Sequence, residues 1–236
     1  MVSELELPKA GHGNVAVTLE MVRSNPAIRC YLEAADQQAI LKGYTEHGLR
    51  HANLVSTVTQ SILMQLQAPP RRIELGAIAG YIHDVGNLVG REWHSSSGGT
   101  IALGLLQQLG MAPEEIAVVV PAIANHDERH GEPVSDVSAA LILADKSDVH
   151  RSRVRNPNPA TFDNHDRVNY AARRSFVRVD VKKRVIAYEL AIETEFLPGG
   201  VLDYFEIFLP RMLIARRSAE FLKCQFEMVI NNTRVF

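Results

Sequence analysis

The sequence predicts a mainly α protein, an all-helical body followed by a small α+β, ββαβ-like C-terminal appendage. Three observations carry this expectation. Apolar residues recur at three- and four-residue steps from 18 to about 151. Pro26, Pro69-Pro70, Gly110 and Pro113 fall at the ends of those runs, where they start or stop helices. From 176 the apolar period shortens to two, on either side of Lys182-Lys183, which is a hairpin signal.

In chain order, residues 1–14 read as a loose or partly extended lead-in. The stretch 18–44 is helical, with Asn25-Pro26 restarting a helix inside it. A long helix spans 46–67, with Val55, Val58, Ile62 and Leu66 on one stripe, and Ala68-Pro69-Pro70 ends it. Helices follow over 71–84, 96–109, 113–126 and 136–151, separated by loops at 85–95 and 127–134. Asn156-Pro157-Asn158-Pro159 breaks the pattern, and 160–175 is polar. Strands are expected over 176–181 and 184–194, an amphipathic helix interrupted by Pro210 over 200–223, and a last strand over 225–230. The chain so divides into an N-terminal helical extension (1–45), a helical domain (46–155) and a small α+β subdomain (176–236).

Composition bounds the function. The 236 residues are 46% hydrophobic and 22% charged, with a net charge of −2, which supplies no global field for nucleic acid or a membrane surface. No apolar stretch approaches the roughly 18 residues of a membrane span. The start of the sequence lacks a basic segment followed by an apolar one, so no secretion signal is expected. Cys30 and Cys224, far apart and outside any CxxC pattern, suggest a reducing compartment and no thiolate zinc site. The expectation is a cytoplasmic protein with no polymeric nucleic-acid partner.

The most informative pair is His83-Asp84, which closes the apolar run IELGAIAGYI. A buried carboxylate without a partner is costly, and a divalent metal ion is a partner that suits both imidazole and carboxylate. Other polar residues lie on neighbouring helices. His51 is in the first turns of the long helix. His94 is in the loop after His83-Asp84, His126 near the end of its helix, and Asp145 after six consecutive apolar residues.

The pattern His51…His83-Asp84…Asp145 resembles that of the HD-domain metal-dependent phosphohydrolase superfamily, over roughly 47–150. The resemblance implies that these four residues hold one metal. His94, with Gly98 four residues on, and His126 before an acidic pair resemble the binuclear branch, which implies that they bind a second ion. That branch includes the HD-GYP cyclic-dinucleotide phosphodiesterases. The chain departs from HD-GYP at Asn87, where those proteins carry Lys, at Asn125-His126, where they carry paired His, and at Gly131-Glu132-Pro133-Val134, which replaces Gly-Tyr-Pro. His47, one helical turn before His51, is a further metal or supporting candidate.

The implied chemistry is phosphoester hydrolysis by a metal-activated water, with two divalent ions drawn from Mn, Fe, Ni or Zn and Asp84 bridging them. Asp84, His83 and Lys146 are the catalytic candidates. Between 146 and 184 there are eleven Lys and Arg against four Asp and Glu, which fits an anionic substrate. Lys146, Arg151 and Arg129 are the candidates for its phosphate. The leading expectation is a phosphohydrolase of a nucleotide or other phosphomonoester. A cyclic-dinucleotide phosphodiesterase and a non-catalytic metal-binding signalling or interaction module are the alternatives. The appendage is too small a sheet to stand alone. It must pack on the helical body or on a second copy of itself; the apolar helix around 204–209 predicts a homo-oligomer formed through this segment, the alternative being that this helix is the core of a compact α+β appendage.

Overall fold

The computed structural model describes residues 16–236, so the lead-in expected over 1–14 lies outside the described residues. Among these residues are nine α-helices and one four-stranded sheet. The helices are α1 (Leu19–Ser24), α2 (Pro26–Leu41), α3 (Leu49–Gln65), α4 (Pro70–Ile82), α5 (His94–Gln108), α6 (Pro113–Ala124), α7 (Asp136–Lys146), α8 (Asn164–Ala171) and α9 (Val201–Phe221). The strands are β1 (Ala172–Asp180), β2 (Val185–Ile192), β3 (Gln225–Ile230) and β4 (Thr233–Arg234). Among the described residues no helix is long and apolar enough to cross a membrane.

Local signals place the ends of the helices. Thr18 caps α1 by accepting from the Met21 N–H, and Asn25 caps α2 by accepting from Ala27 and Ile28. Ser135 does the same for α7. Proline occupies the first turn of α2, α4 and α6, where its missing N–H costs nothing.

The centre of the body is built from α3, α4 and α7. Every residue of α4 from Leu75 to Ile82 is buried, and every residue of α7 from Val137 to Lys146. This is why both read as nearly continuous apolar runs rather than one-sided stripes. Close approach makes the arrangement possible. A Cβ on Gly80 of α4 would lie 2.8 Å from the Ser56 Cα of α3, and Ser56 Oγ donates to the Ala77 carbonyl at 2.7 Å. The two helices that carry His51 and His83 thus touch through backbone.

The sheet runs β1-β2-β3-β4. β1 and β2 form an antiparallel hairpin, α9 crosses over to place β3 parallel to β2, and β4 returns antiparallel. The appendage packs on the body: α9 lies against α7, and Tyr188 of β2 donates from Oη to the Leu143 carbonyl of α7 at 2.7 Å. One hydrophobic core runs from Val22 and Ile78 through Leu141 to Tyr188, Tyr204 and Phe208. Each large side chain buried in it contributes about 1.5–3 kcal/mol.

Several expected boundaries move. Residues 83–88 are a 3-10 helix (His83–Leu88) rather than loop, and α5 begins at His94 rather than 96. Gly86 permits this turn, because a Cβ there would fall 1.9 Å from the His94 carbonyl oxygen. α7 stops at Lys146, not 151, and the chain then folds back towards α3. The polar stretch 160–175 contains α8 and the start of β1. α8 buries little besides Val168, Asn169 and Ala171, so it has no apolar stripe to read. Pro210 does not interrupt α9. Both Pro210 and Glu206, whose carbonyl the proline leaves free, are exposed, so water can satisfy the lost hydrogen bond.

Candidate metal centre

His51, His83, Asp84, His94, His126 and Asp145 converge on one buried centre, although they come from α3, the α4 end with its 3-10 turn, α5, the α6 end and α7. Their ligand atoms sort into two groups around Asp84. Asp84 Oδ2 lies 3.6 Å from His83 Nε2 and 3.8 Å from His51 Nε2. Asp145 Oδ1 joins that group, 3.2 Å from His51 Nε2 and 3.7 Å from His83 Nε2. The other oxygen, Asp84 Oδ1, lies 3.5 Å from His94 Nε2 and 3.8 Å from His126 Nε2.

The tautomers of these rings follow from their outer partners. A carbonyl oxygen can only accept, so a ring nitrogen against it carries a hydrogen. His83 Nδ1 donates to the Gly80 carbonyl at 2.8 Å, His94 Nδ1 to Arg91 at 2.9 Å and His126 Nδ1 to Ile123 at 2.7 Å. His51 Nδ1 donates to the Asp148 carboxylate at 2.6 Å. Each neutral ring therefore presents a bare Nε2 lone pair to the centre. Two pairs of such atoms face each other: His51 and His83 at 3.2 Å, and His94 and His126 at 3.0 Å.

Facing lone pairs repel unless a cation stands between them. The rings differ in how readily they take a proton: against burial and the Arg153 charge, hydrogen bonds to Asp145 and Asp148 raise His51 above its ordinary value. Burial and then the neighbouring His126 push His94 down to about 3, and burial also lowers His83. The carboxylates make the opposite demand. Burial works against charge on Asp84 and Asp145, yet facing imidazoles, and Lys146 beside Asp145, hold both well below the carboxylate range. At His83 and His94 burial opposes the charged ring, so those two imidazoles give the ionised carboxylates little support. A divalent cation held by these residues would satisfy both demands.

Three observations fit metal binding. Donor atoms bonded at 2.0–2.2 Å to one ion lie about 3 to 4 Å from each other, as these do. His51, His83 and Asp145, and separately His83, Asp84 and His126, each offer atoms within 4.8 Å of one another. Asp84 Oδ1 is buried and has no hydrogen-bond partner.

Supporting groups surround the centre. Asp148 accepts the hydrogen bond from His51 Nδ1 and is itself held by Arg50 Nη2 at 2.7 Å and Arg153 Nε at 3.6 Å. Despite burial, Arg153 and His51 keep its carboxyl far below its ordinary value. Asp127 Oδ2 lies 3.3 Å from His94 Nδ1. Arg91 places Nη1 3.7 Å from Asp84 Oδ1 with its side chain about a quarter exposed, so it is a cation at the edge of the centre.

The remaining candidates fall elsewhere. His47 precedes α3 rather than standing on it, with its ring 5.6 Å from that of His51 and Nδ1 donating to the Thr45 carbonyl. It belongs to neither ligand group. Lys146 is not free for a phosphate: it is buried, with Nζ 2.7 Å from Asp145 Oδ2 and 2.5 Å from Glu128 Oε2. Arg151 points to the sheet, pairing with Glu193 at 2.6 Å and the Tyr170 carbonyl at 3.0 Å. Arg129 is exposed in the loop after His126.

Two aromatic rings mark the same side. Trp93, adjacent to His94, stacks on His130, four residues after His126, at 4.0 Å and 14°. Trp93 is 54% exposed and held at φ 58°, a left-handed conformation that a bulky residue rarely adopts.

The sequence reading missed Asp148, Asp127, Glu128 and Arg91 as parts of the site. Asp148 had a signal, an acidic residue three positions after Asp145, but it was submerged in a cationic run.

No protein-family model matches the chain, and no curated protein matches it. The helical body and its buried His/Asp cluster are compatible with an HD-like metal-binding domain.

Proposed function

We propose that this chain is a binuclear metal-dependent phosphohydrolase acting on a nucleotide or another phosphomonoester. The observation that carries the reading is Asp84, which turns one oxygen to the His51/His83 pair and the other to the His94/His126 pair. His51, His83, Asp84 and Asp145 would hold one ion, and His94, His126 and Asp84 the second. Such ions supply an acidified water and a sink for phosphoryl charge.

The chain's own residues do the rest. The Nδ1 hydrogen bonds fix each imidazole so that Nε2 faces inward. Lys146 holds Asp145 Oδ2, which leaves Oδ1 for the centre. Arg91, a partly exposed cation beside Asp84, takes the phosphate-orienting role expected of Lys146. The Trp93–His130 stack offers a flat surface on the His94/His126 side, which favours a substrate that carries a base. Mixed imidazole and carboxylate ligation suits Mn, Fe, Ni or Zn. Two unpaired cysteines, Cys30 and Cys224, accord with a cytoplasmic setting.

The test is a panel of nucleoside monophosphates, sugar phosphates and cyclic dinucleotides, assayed with protein reconstituted in turn with each metal. The expected result is metal-dependent release of phosphate from monoesters. Turnover of cyclic dinucleotides alone would establish the phosphodiesterase alternative. Metal-loaded protein inert to the whole panel would leave a non-catalytic metal-binding module.

A further inference from the structure

Beyond the ligands and the rings that face them, one line of charge leaves the centre and ends in the C-terminal subdomain. Asp145 gives Oδ1 to the His51/His83 group and Oδ2 to Lys146. Lys146 Nζ also contacts Glu128 Oε2 at 2.5 Å. The other oxygen of Glu128 receives Arg211 Nε of α9 at 3.3 Å. Charges alternate along this line: Asp145 negative, Lys146 positive, Glu128 negative, Arg211 positive. Lys146 is 5% exposed, so its ammonium depends on both carboxylates. Arg211 is fixed in turn over the Phe208 ring, with its guanidinium carbon 4.6 Å from the ring centroid.

We propose that Arg211 is a positioning residue for the metal centre, acting through Glu128 and Lys146 to hold Asp145 in the orientation that offers a single oxygen to the ion. The proposal rests on the reading of the His/Asp cluster as a metal site. Without Arg211, Glu128 has only Lys146 as its counter-charge and draws that ammonium towards itself. The hold on Asp145 Oδ2 weakens, and the carboxylate is free to rotate. The helix that carries Arg211 belongs to the appendage, so the subdomain completes a site whose ligands all lie in the body.

Cobalt(II) binding to the full chain tests this without any assay of activity. Affinity is read by chelator competition and ligand geometry from the visible spectrum of bound cobalt. Arg211→Met should weaken cobalt binding about tenfold and alter the spectrum, at the lower end of the loss expected for a direct outer partner of a ligand, because Arg211 acts through two intervening residues. Arg211→Lys, which keeps the charge, should recover most of the affinity. Because Arg211 acts through Glu128, the Arg211→Met/Glu128→Gln double variant should bind no more weakly than Glu128→Gln alone. Wild-type affinity and spectrum in Arg211→Met would overturn the proposal. So would losses that add in full in the double variant, or an Arg211→Lys chain as weak as Arg211→Met. Wild-type protein that takes up no cobalt would instead remove the metal centre itself, and the proposal with it.

Discussion

His94 and His126 turn their Nε2 atoms towards each other across 3.0 Å, each with its Nδ1 hydrogen already given to a backbone carbonyl. Neither ring has a hydrogen left for the contact while neutral, and burial keeps His94 neutral to about pH 3. A cation between the two rings would relieve this opposition of lone pairs. His51 and His83 repeat the arrangement at 3.2 Å. Asp84 stands between the two pairs.

The outer partner of His51 should matter nearly as much as the ligand. Asp148→Ala removes the acceptor that fixes the His51 ring and its tautomer. It also leaves Arg153 buried without its counter-charge. Metal affinity should fall about 10- to 100-fold while the helical circular dichroism persists. Isothermal titration with Mn or Zn measures this, and unchanged affinity would show that Asp148 serves only the Arg50–Arg153 pair.

Trp93 is the only tryptophan in the chain, so fluorescence excited at wavelengths where its six tyrosines do not absorb reports on the exposed stack. In zinc-loaded protein a nucleoside monophosphate should quench Trp93 and saturate, while ribose 5-phosphate should not. Trp93→Ala should reduce the preference for the nucleotide over ribose 5-phosphate by roughly ten- to a hundredfold. Equal quenching by both ligands would assign recognition to the phosphate only.

Glu128 gives a pH dependence with a definite sign. Burial opposes its charge, but Lys146 and Arg211 hold its carboxyl well below the usual carboxylate value. A depressed folded pKa contributes stability that is present above the unfolded pKa, about 4.3, and lost as pH falls through the folded value. Metal-free wild type should therefore lose thermal stability steadily as pH drops below about 5. Glu128→Gln should show a shallower acid slope in melts between pH 3 and 7. Parallel slopes would mean that Glu128 is not held by those two cations.

The ridge Leu202, Leu209 and Leu213 on α9 is 74%, 51% and 41% exposed and follows a helical stripe on one face. Tyr204 and Phe208, by contrast, are buried in the shared core. We propose that this ridge is the self-association surface expected of the tail. Light scattering should give a dimer or larger assembly for the full chain and a monomer for Leu209→Glu/Leu213→Glu. A wild type that is monomeric at micromolar concentration would end that proposal.

Much of the fold was legible because burial leaves a direct trace. α4 and α7 are buried on all sides, and their apolar runs announce this, so that His83-Asp84 and Asp145 stand out against them. What stayed hidden depends on contacts between distant residues. Asp148 reaches His51 only because α7 ends at Lys146 and the chain folds back, a return that no local period encodes. Glu128 and Arg211 meet across 83 residues. Lys146 and Arg151 read as free cations because their carboxylate partners, Glu128 and Glu193, lie outside the charge run. α8 was invisible because it presents almost no apolar face.

The central claim is that Asp84 bridges two ions. Anomalous diffraction from crystals grown with Mn or Zn, with elemental analysis of the same protein, tests it most directly. The account predicts two ions per chain about 3.5–4 Å apart. One lies against His51, His83 and Asp145 and the other against His94 and His126, with an Asp84 oxygen on each. Asp84→Ala should lose both ions and all activity yet remain helical. At most one ion per chain in excess metal, or ions bound away from Asp84, would contradict it.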